Sequence, residues 1–233
     1  APLTPLERRA LAAPADPMPD PVRLDYPDWL DEALRASLGA ELDASMQALQ
    51  QRAPVDLRVN TLKADREEAR GRLAQDGIIA EPLDLVDTAL RAPPASPVAQ
   101  SAAYKEGLVE LQDAASQAAA AMAAAAPGET VLDFCAGGGG KTLALAAQMG
   151  GAGRLIAHDA APRRMRTIPD RAMRAGATVE IMSTPLLREL ERACDVVFVD
   201  APCSGSGSWR RDPGGKWRLT ADRLTALPRI QAE

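Results

Sequence analysis

The 233 residues suffice for one large or two modest domains, and 46% hydrophobic with 25% charged residues is ordinary for a globular chain. No apolar run nears the 18 residues of a membrane span, no charged-then-apolar leader opens the chain, and three scattered cysteines with one histidine argue against a disulfide framework or a zinc site. A net charge of −5 leaves nucleic-acid binding to a local patch at most, and the cysteine usage fits a reducing cytoplasm.

Residues 1–27 are rich in Pro, Ala and Asp and read as a linker or extended arm. Trp29, Leu30, Leu34, Leu38, Leu42, Met46 and Leu49 then recur at helical spacing, predicting two short helices broken near Gly39, with Trp29 as a core anchor. Val55, Leu57 and Val59 alternate with Asp56, Arg58 and Asn60, the pattern of a half-buried strand. Arg58, Asn60 and Lys63 would form either its solvated side or a face toward a phosphate backbone, and the solvated reading leads. A charged helix over 65–74 and strand fragments at 77–79 and 83–85 complete a small α+β module over 28–100.

An Ala-rich helix within 104–126 ends at Pro127-Gly128. Beyond it strands and helices alternate: strand 131–133, helix 141–149, strand 155–159, helix 162–175 kinked at Pro169, strand 179–182, helix 186–192 and strand 196–200. Repeated βα units predict a doubly wound parallel sheet, a Rossmann-like domain over 101–233.

The first of these units carries the run Val131-Leu-Asp-Phe-Cys-Ala-Gly-Gly-Gly-Gly-Lys-Thr142. The phosphate-loop pattern fails because Cys135 stands where a glycine is needed, and the dinucleotide pattern fails at Thr142 or Leu143. Asp159, about 20 positions past the loop, suits ribose hydroxyls. A nucleoside cofactor without pyrophosphate fits best, S-adenosylmethionine being the common one. A purely structural glycine-rich turn is the competing reading.

Asp133, Asp159 and Asp200 all end apolar strands, where open α/β sheets bind ligands. Asp200 opens Asp-Ala-Pro-Cys203. A thiol on that turn suggests covalent chemistry: carbon 5 of a pyrimidine becomes nucleophilic once a thiolate adds to carbon 6, with Asp200 hydrogen-bonding at ring nitrogen 3. A buried structural thiol is the plainer alternative. Downstream, Arg210, Arg211, Lys216 and Arg218 interleave with Trp209 and Trp217, cations and rings suited to single-stranded nucleic acid.

The stretches Arg58-Val-Asn-Thr-Leu-Lys63, Leu111-Gln-Asp-Ala-Ala-Ser116, 131–142, Asp200-Ala-Pro-Cys-Ser-Gly-Ser-Gly207 and 210–218 together resemble the Sun/Fmu family of RNA cytosine carbon-5 methyltransferases, over about residues 28–231. The resemblance implies S-adenosylmethionine held by Cys135, Ala136, Gly137, Gly138, Gly139, Gly140 and Lys141, with Asp159 on the ribose and Asp200 near the methionine and target base. It implies an RNA-binding module over 28–100, which makes Arg58 and Lys63 RNA candidates. It also implies a ribosomal RNA substrate; apart from the resemblance, a monomer is expected, with neither metal nor membrane. Ser183 stands where the family carries an acid on the adenine side. The family's usual nucleophile lies in a T-C-S motif after a fifth strand, while its D-A-P-C thiol assists product release. No such motif occurs up to Glu233, so the domain is expected to continue beyond this chain, and Cys203 is a catalytic-site thiol without being assigned the attack. The alternative is a non-catalytic RNA-binding protein that keeps the fold.

Overall fold

The computed structural model describes Thr4, residues 18–190 and residues 192–232, leaving aside the side chain of Glu189. These fall into two compact units, one made of residues up to 53 with those from 203 onward, the other of residues 54–202.

The first unit begins with α1 (Asp20–Arg23), α2 (Asp31–Leu38) and α3 (Leu42–Gln50). Most of the expected arm lies outside the described residues, but 20–27 are not an arm. Leu24 and Tyr26 are buried with Leu30, Leu42, Met46, Trp209 and Leu219, and the Tyr26 hydroxyl donates to Asp31 at 2.7 Å. Trp29 is 39% exposed, so the anchoring falls to its neighbours Tyr26 and Leu30. The break between α2 and α3 lies at Gly39, whose φ of 51° is a left-handed value that glycine adopts freely.

The second unit opens with β1 (Val55–Val59), α4 (Arg66–Gln75), β2 (Glu81–Pro82), β3 (Ala89–Ala92), α5 (Ala102–Lys105) and β4 (Val109–Leu111). The strands form an antiparallel sheet in the order β2-β3-β1-β4. Because β4 belongs to this sheet, its pairing runs past residue 100. α4 starts on a capping box: the Asp65 carboxylate accepts the Glu68 N–H at 2.8 Å and Glu68 accepts that of Asp65 at 2.9 Å. Leu57 and Val59 meet Ala69, Leu73, Leu90 and Val109 in the core.

After α6 (Ala114–Ala121) come β5 (Thr130–Asp133), α7 (Gly140–Gln148), β6 (Arg154–Ala157), α8 (Ile168–Ala175), β7 (Glu180–Ile181) and β8 (Val196–Phe198). The sheet is wholly parallel, in the order β7-β6-β5-β8. Pro169 does not kink a long helix. Residues 162–167 form a 3-10 segment, and the proline falls in the first turn of α8, where its missing N–H costs nothing. The segment expected as helix 186–192 is a 3-10 helix over Thr184–Leu190. The chain then rejoins the first unit through α9 (Gly215–Arg218) and α10 (Ala221–Ala232). Among the described residues no helix is long and apolar enough to cross a membrane.

Candidate functional site

Successive strands run from β5 outward through β6 to β7, then return to β8 on the other side of β5. The glycine loop after β5 therefore occupies a topological switch point, where a crevice opens beyond the strand ends. Asp133 pairs in register with Ala157 of β6 and Phe198 of β8, so Asp159 and Asp200 each lie two residues beyond its level. The three carboxylates thus end three adjacent strands.

Each has distinct partners. Asp159 is buried, and its oxygens accept the Gly137 N–H at 2.9 Å, the Ala161 N–H at 2.8 Å and an Arg164 guanidinium N–H at 2.9 Å. A carboxylate offers about four lone-pair sites, so one remains for a hydroxyl, and the exposed Arg164 is the partner free to swing away for a second. Asp200 is exposed, and Lys141 Nζ donates to it at 2.8 Å, joining the loop end to the neighbouring strand end. Asp133 accepts the Thr142 hydroxyl at 2.7 Å through Oδ2, while its buried Oδ1 has no partner. Burial, aided by the charge of Asp200, pushes the Asp133 carboxyl up to about 6.

The loop is a backbone cradle. Gly137 and Gly139 have φ of 53° and 82°, and a Cβ on Gly139 would lie 2.8 Å from Ile168 Cγ1. Gly139 caps α7, whose first turn presents N–H groups without intrahelical partners. Burial, with the nearby Asp159, Asp133 and Asp200, pushes the Cys135 thiol up, so it stays protonated at neutral pH. Ser183 is exposed just after β7, where Leu186 N–H bonds its carbonyl. This donor set, a side-chain-free loop flanked by acids with one orphaned carboxylate oxygen, fits a nucleoside cofactor bearing hydroxyls and an ammonium.

The residues read as RNA contacts divide. Arg58 is 3% exposed and donates to Gln112 Oε1 at 2.6 Å and to the Leu143 carbonyl at 3.4 Å. It is neither solvated nor able to reach a phosphate. Lys63 Nζ lies against the Glu106 and Arg174 carbonyls at 2.9 and 2.6 Å. Lys216 is 1% exposed and paired with Asp25 at 2.6 Å, and Trp209 is buried in the core of its unit. Arg210 donates to the Gln51 and Arg52 carbonyls at 3.3 Å, just past the end of α3. Arg211, Arg218 and Trp217 are exposed, with Arg218 ion-paired to Asp212. Cys203 is exposed, and it opens the stretch that belongs to the first unit.

Sequence reasoning missed Arg164 on Asp159 and the Thr142–Asp133 bond. Thr142, nine residues after Asp133 on the first turn of a predicted helix, was the available signal; Arg164 left none.

A family model described as 16S rRNA methyltransferase RsmB/F matches residues 120–233, and a model of the RsmF/B-like ferredoxin-like domain matches residues 26–99. Ribosomal RNA small subunit methyltransferase B of Vibrio cholerae serotype O1 is 32% identical over 218 residues, covering 92% of this chain and 50% of that protein. The crystal structure of PH0851 superposes with a TM-score of 0.86 at 31% identity, covering 97% of this chain and 53% of that one. NSun6 from Pyrococcus horikoshii, solved with SFG, shares the fold at a TM-score of 0.78 and 18% identity, covering 88% of this chain and 77% of that one. The chain spans about half the length of the curated relatives it matches. With both of its domain models matched in order along the sequence, the chain belongs to the RsmB/F (Sun/Fmu) methyltransferase family, a methyltransferase fold preceded by a small ferredoxin-like domain.

Proposed function

We propose that this chain forms the cofactor-binding part of an enzyme that methylates carbon 5 of a cytosine in ribosomal RNA, using S-adenosylmethionine. The observation that carries the reading is the set of three strand-end carboxylates around a side-chain-free loop at the switch point of a parallel sheet. The names of the relatives support ribosomal RNA as the substrate. S-adenosylmethionine supplies an electrophilic methyl group on a sulfonium.

The chain's own residues take the following parts. Asp159 accepts a ribose hydroxyl, and the loop from Cys135 to Lys141 lies against the cofactor's backbone-facing side. Ser183 lies on the adenine side. The free Oδ1 of Asp133 accepts an ammonium N–H. Lys141 orients Asp200, and a proton held between the Asp200 carboxyl and ring nitrogen 3 carries their hydrogen bond as charge develops on the cytosine. Addition of a thiolate at carbon 6 pushes an electron pair onto carbon 5, which takes the methyl. Loss of the carbon 5 proton to a base then expels the thiol and restores the ring. Cys203 stands three residues after Asp200 in the chain; the family resemblance gives it the part of releasing product. Arg211, Trp217 and Arg218, being exposed, are the RNA contacts retained from the downstream loop, while Arg58 and Lys216 are withdrawn.

Transfer of labelled methyl to small-subunit ribosomal RNA by the protein that carries this chain tests the reading. Label is expected on carbon 5 of cytosine, and Asp200→Asn is expected to slow transfer about a hundredfold. Label on the exocyclic amine would overturn the thiol mechanism.

A further inference from the structure

We propose that Arg171 is the positioning residue of the glycine loop, tied down by Glu110 from the antiparallel sheet. This rests on the reading that the loop holds S-adenosylmethionine. Glycines carry no side chain that could fix their own peptide planes. Something outside the loop must hold it, and the wall behind it is the start of α8. Ile168 closes on Gly139, and Arg171 Nη1 lies 3.5 Å from where a Cβ on Gly138 would be.

Arg171 reaches two acceptors at once. One nitrogen donates to the Gly138 carbonyl and the other to Glu110 Oε2 at 3.0 Å. Glu110 lies on β4 and is 3% exposed on its side chain; its second oxygen takes Arg174. The guanidinium is thus fixed from behind by a buried carboxylate, and its planar fork can serve both acceptors without bending. The peptide plane between Gly138 and Gly139 is held at both ends, since the Gly139 N–H donates to the Ala136 carbonyl at 2.9 Å. That plane leads directly into the cap of α7. Its orientation sets where the first-turn N–H groups point. The antiparallel sheet therefore helps shape the cofactor loop through one charged relay.

The test compares wild type with Arg171→Ala, Arg171→Lys and Glu110→Gln. Calorimetric titration with S-adenosylhomocysteine measures the site, and amide hydrogen exchange over residues 138–142 measures the loop without any ligand. Arg171→Ala is expected to bind about tenfold more weakly, the loss of one charge-assisted hydrogen bond. Its loop amides should exchange faster while those of β5 and β6 do not change. Arg171→Lys, which keeps the charge but not the fork, should recover less than half of the loss, whereas a purely structural charge would be fully rescued. Glu110→Gln should move both readouts the same way by less. Binding within twofold of wild type, with unaltered loop exchange, would overturn the proposal. If wild type takes up no S-adenosylhomocysteine, the cofactor reading fails, and loop exchange still decides the role of Arg171. Should Arg171→Ala not fold, Arg171→Lys decides by the same two measurements.

Discussion

The glycine loop after β5 and the polar side of β1 make an instructive pair. The loop has almost no side chains, and its capacity to bind comes from backbone groups left open beyond a parallel sheet. β1 and Asn60 just after it carry some of the strongest hydrogen-bonding side chains in the chain, and all of them are used inward. Asp56 takes Arg91 and the Ala114 N–H, Arg58 takes Gln112 and the Leu143 carbonyl, and Asn60 takes the Gly107 and Ala175 carbonyls. Alternation along a strand says which residues share a face. It does not say which face meets water. Here the following helices cover the polar face, so Arg58-Val-Asn-Thr-Leu-Lys63 joins the antiparallel sheet to α7 and α8, the helices that flank the loop.

The largest test of that contrast is Asn60→Ala. Its amide donates to two buried carbonyls at 2.8 Å each, and its oxygen accepts the Leu62 N–H at 3.3 Å. Truncation leaves those groups without partners, and each buried unmade bond costs about 1–3 kcal/mol, so a loss of about 4 kcal/mol is expected. Urea unfolding measures it. If Asn60→Ala instead keeps full stability and loses RNA affinity, the inward reading of β1 breaks.

A smaller effect sharpens the loop side. The Asp133 carboxyl, held up at about 6 by burial, binds its proton more tightly folded than unfolded, where 3.8 is the ordinary value. Between these values the folded state holds more protons, so stability falls as pH rises through that window. About two pH units correspond to about 3 kcal/mol lost between pH 4 and pH 6. Asp133→Asn should flatten that part of the stability curve, as read by urea unfolding at pH 4.5 and pH 7. An unchanged slope would show that the carboxylate is better solvated than its orphaned Oδ1 indicates.

These cases also show what was legible beforehand. Val131 and Leu132 run into four glycines and a helix, three signals that agree, so β5, its loop and α7 were readable together with the parallel order around them. β3 and β4 were not: Ala-Leu-Arg-Ala and Val-Glu-Leu are short, and they exist because β1 lies between them. Trp209 and Lys216 were misread for another reason. Both have a large apolar body and a polar tip, so the sequence cannot say whether the body is buried under the tip or displayed with it. Trp217 and Arg218, next to Lys216 in α9, are displayed. The acids at the strand ends were legible because position at a strand end is a property of the chain. Arg171 on Gly138 was not, because that contact depends on how α8 packs.

The smallest expected effect is the most pointed. Arg58 is buried without an ion pair among the described residues, and burial pushes its guanidinium down to about 10. It remains charged at neutral pH, at a desolvation cost that two neutral acceptors only partly offset. Arg58→Met keeps much of the stem and removes the charge. The Leu143 carbonyl loses only its longer, 3.4 Å contact with Arg58, since its regular partner is in helix α7. The gain from removing a buried cation and the loss of two hydrogen bonds nearly cancel, and a change within about 1 kcal/mol is expected by urea unfolding. RNA affinity, read by filter binding across a salt series, should keep its slope. A phosphate contact would lower that slope by about one unit on removal. Unchanged stability with a reduced slope would return Arg58 to the RNA face, and with it the rest of its strand.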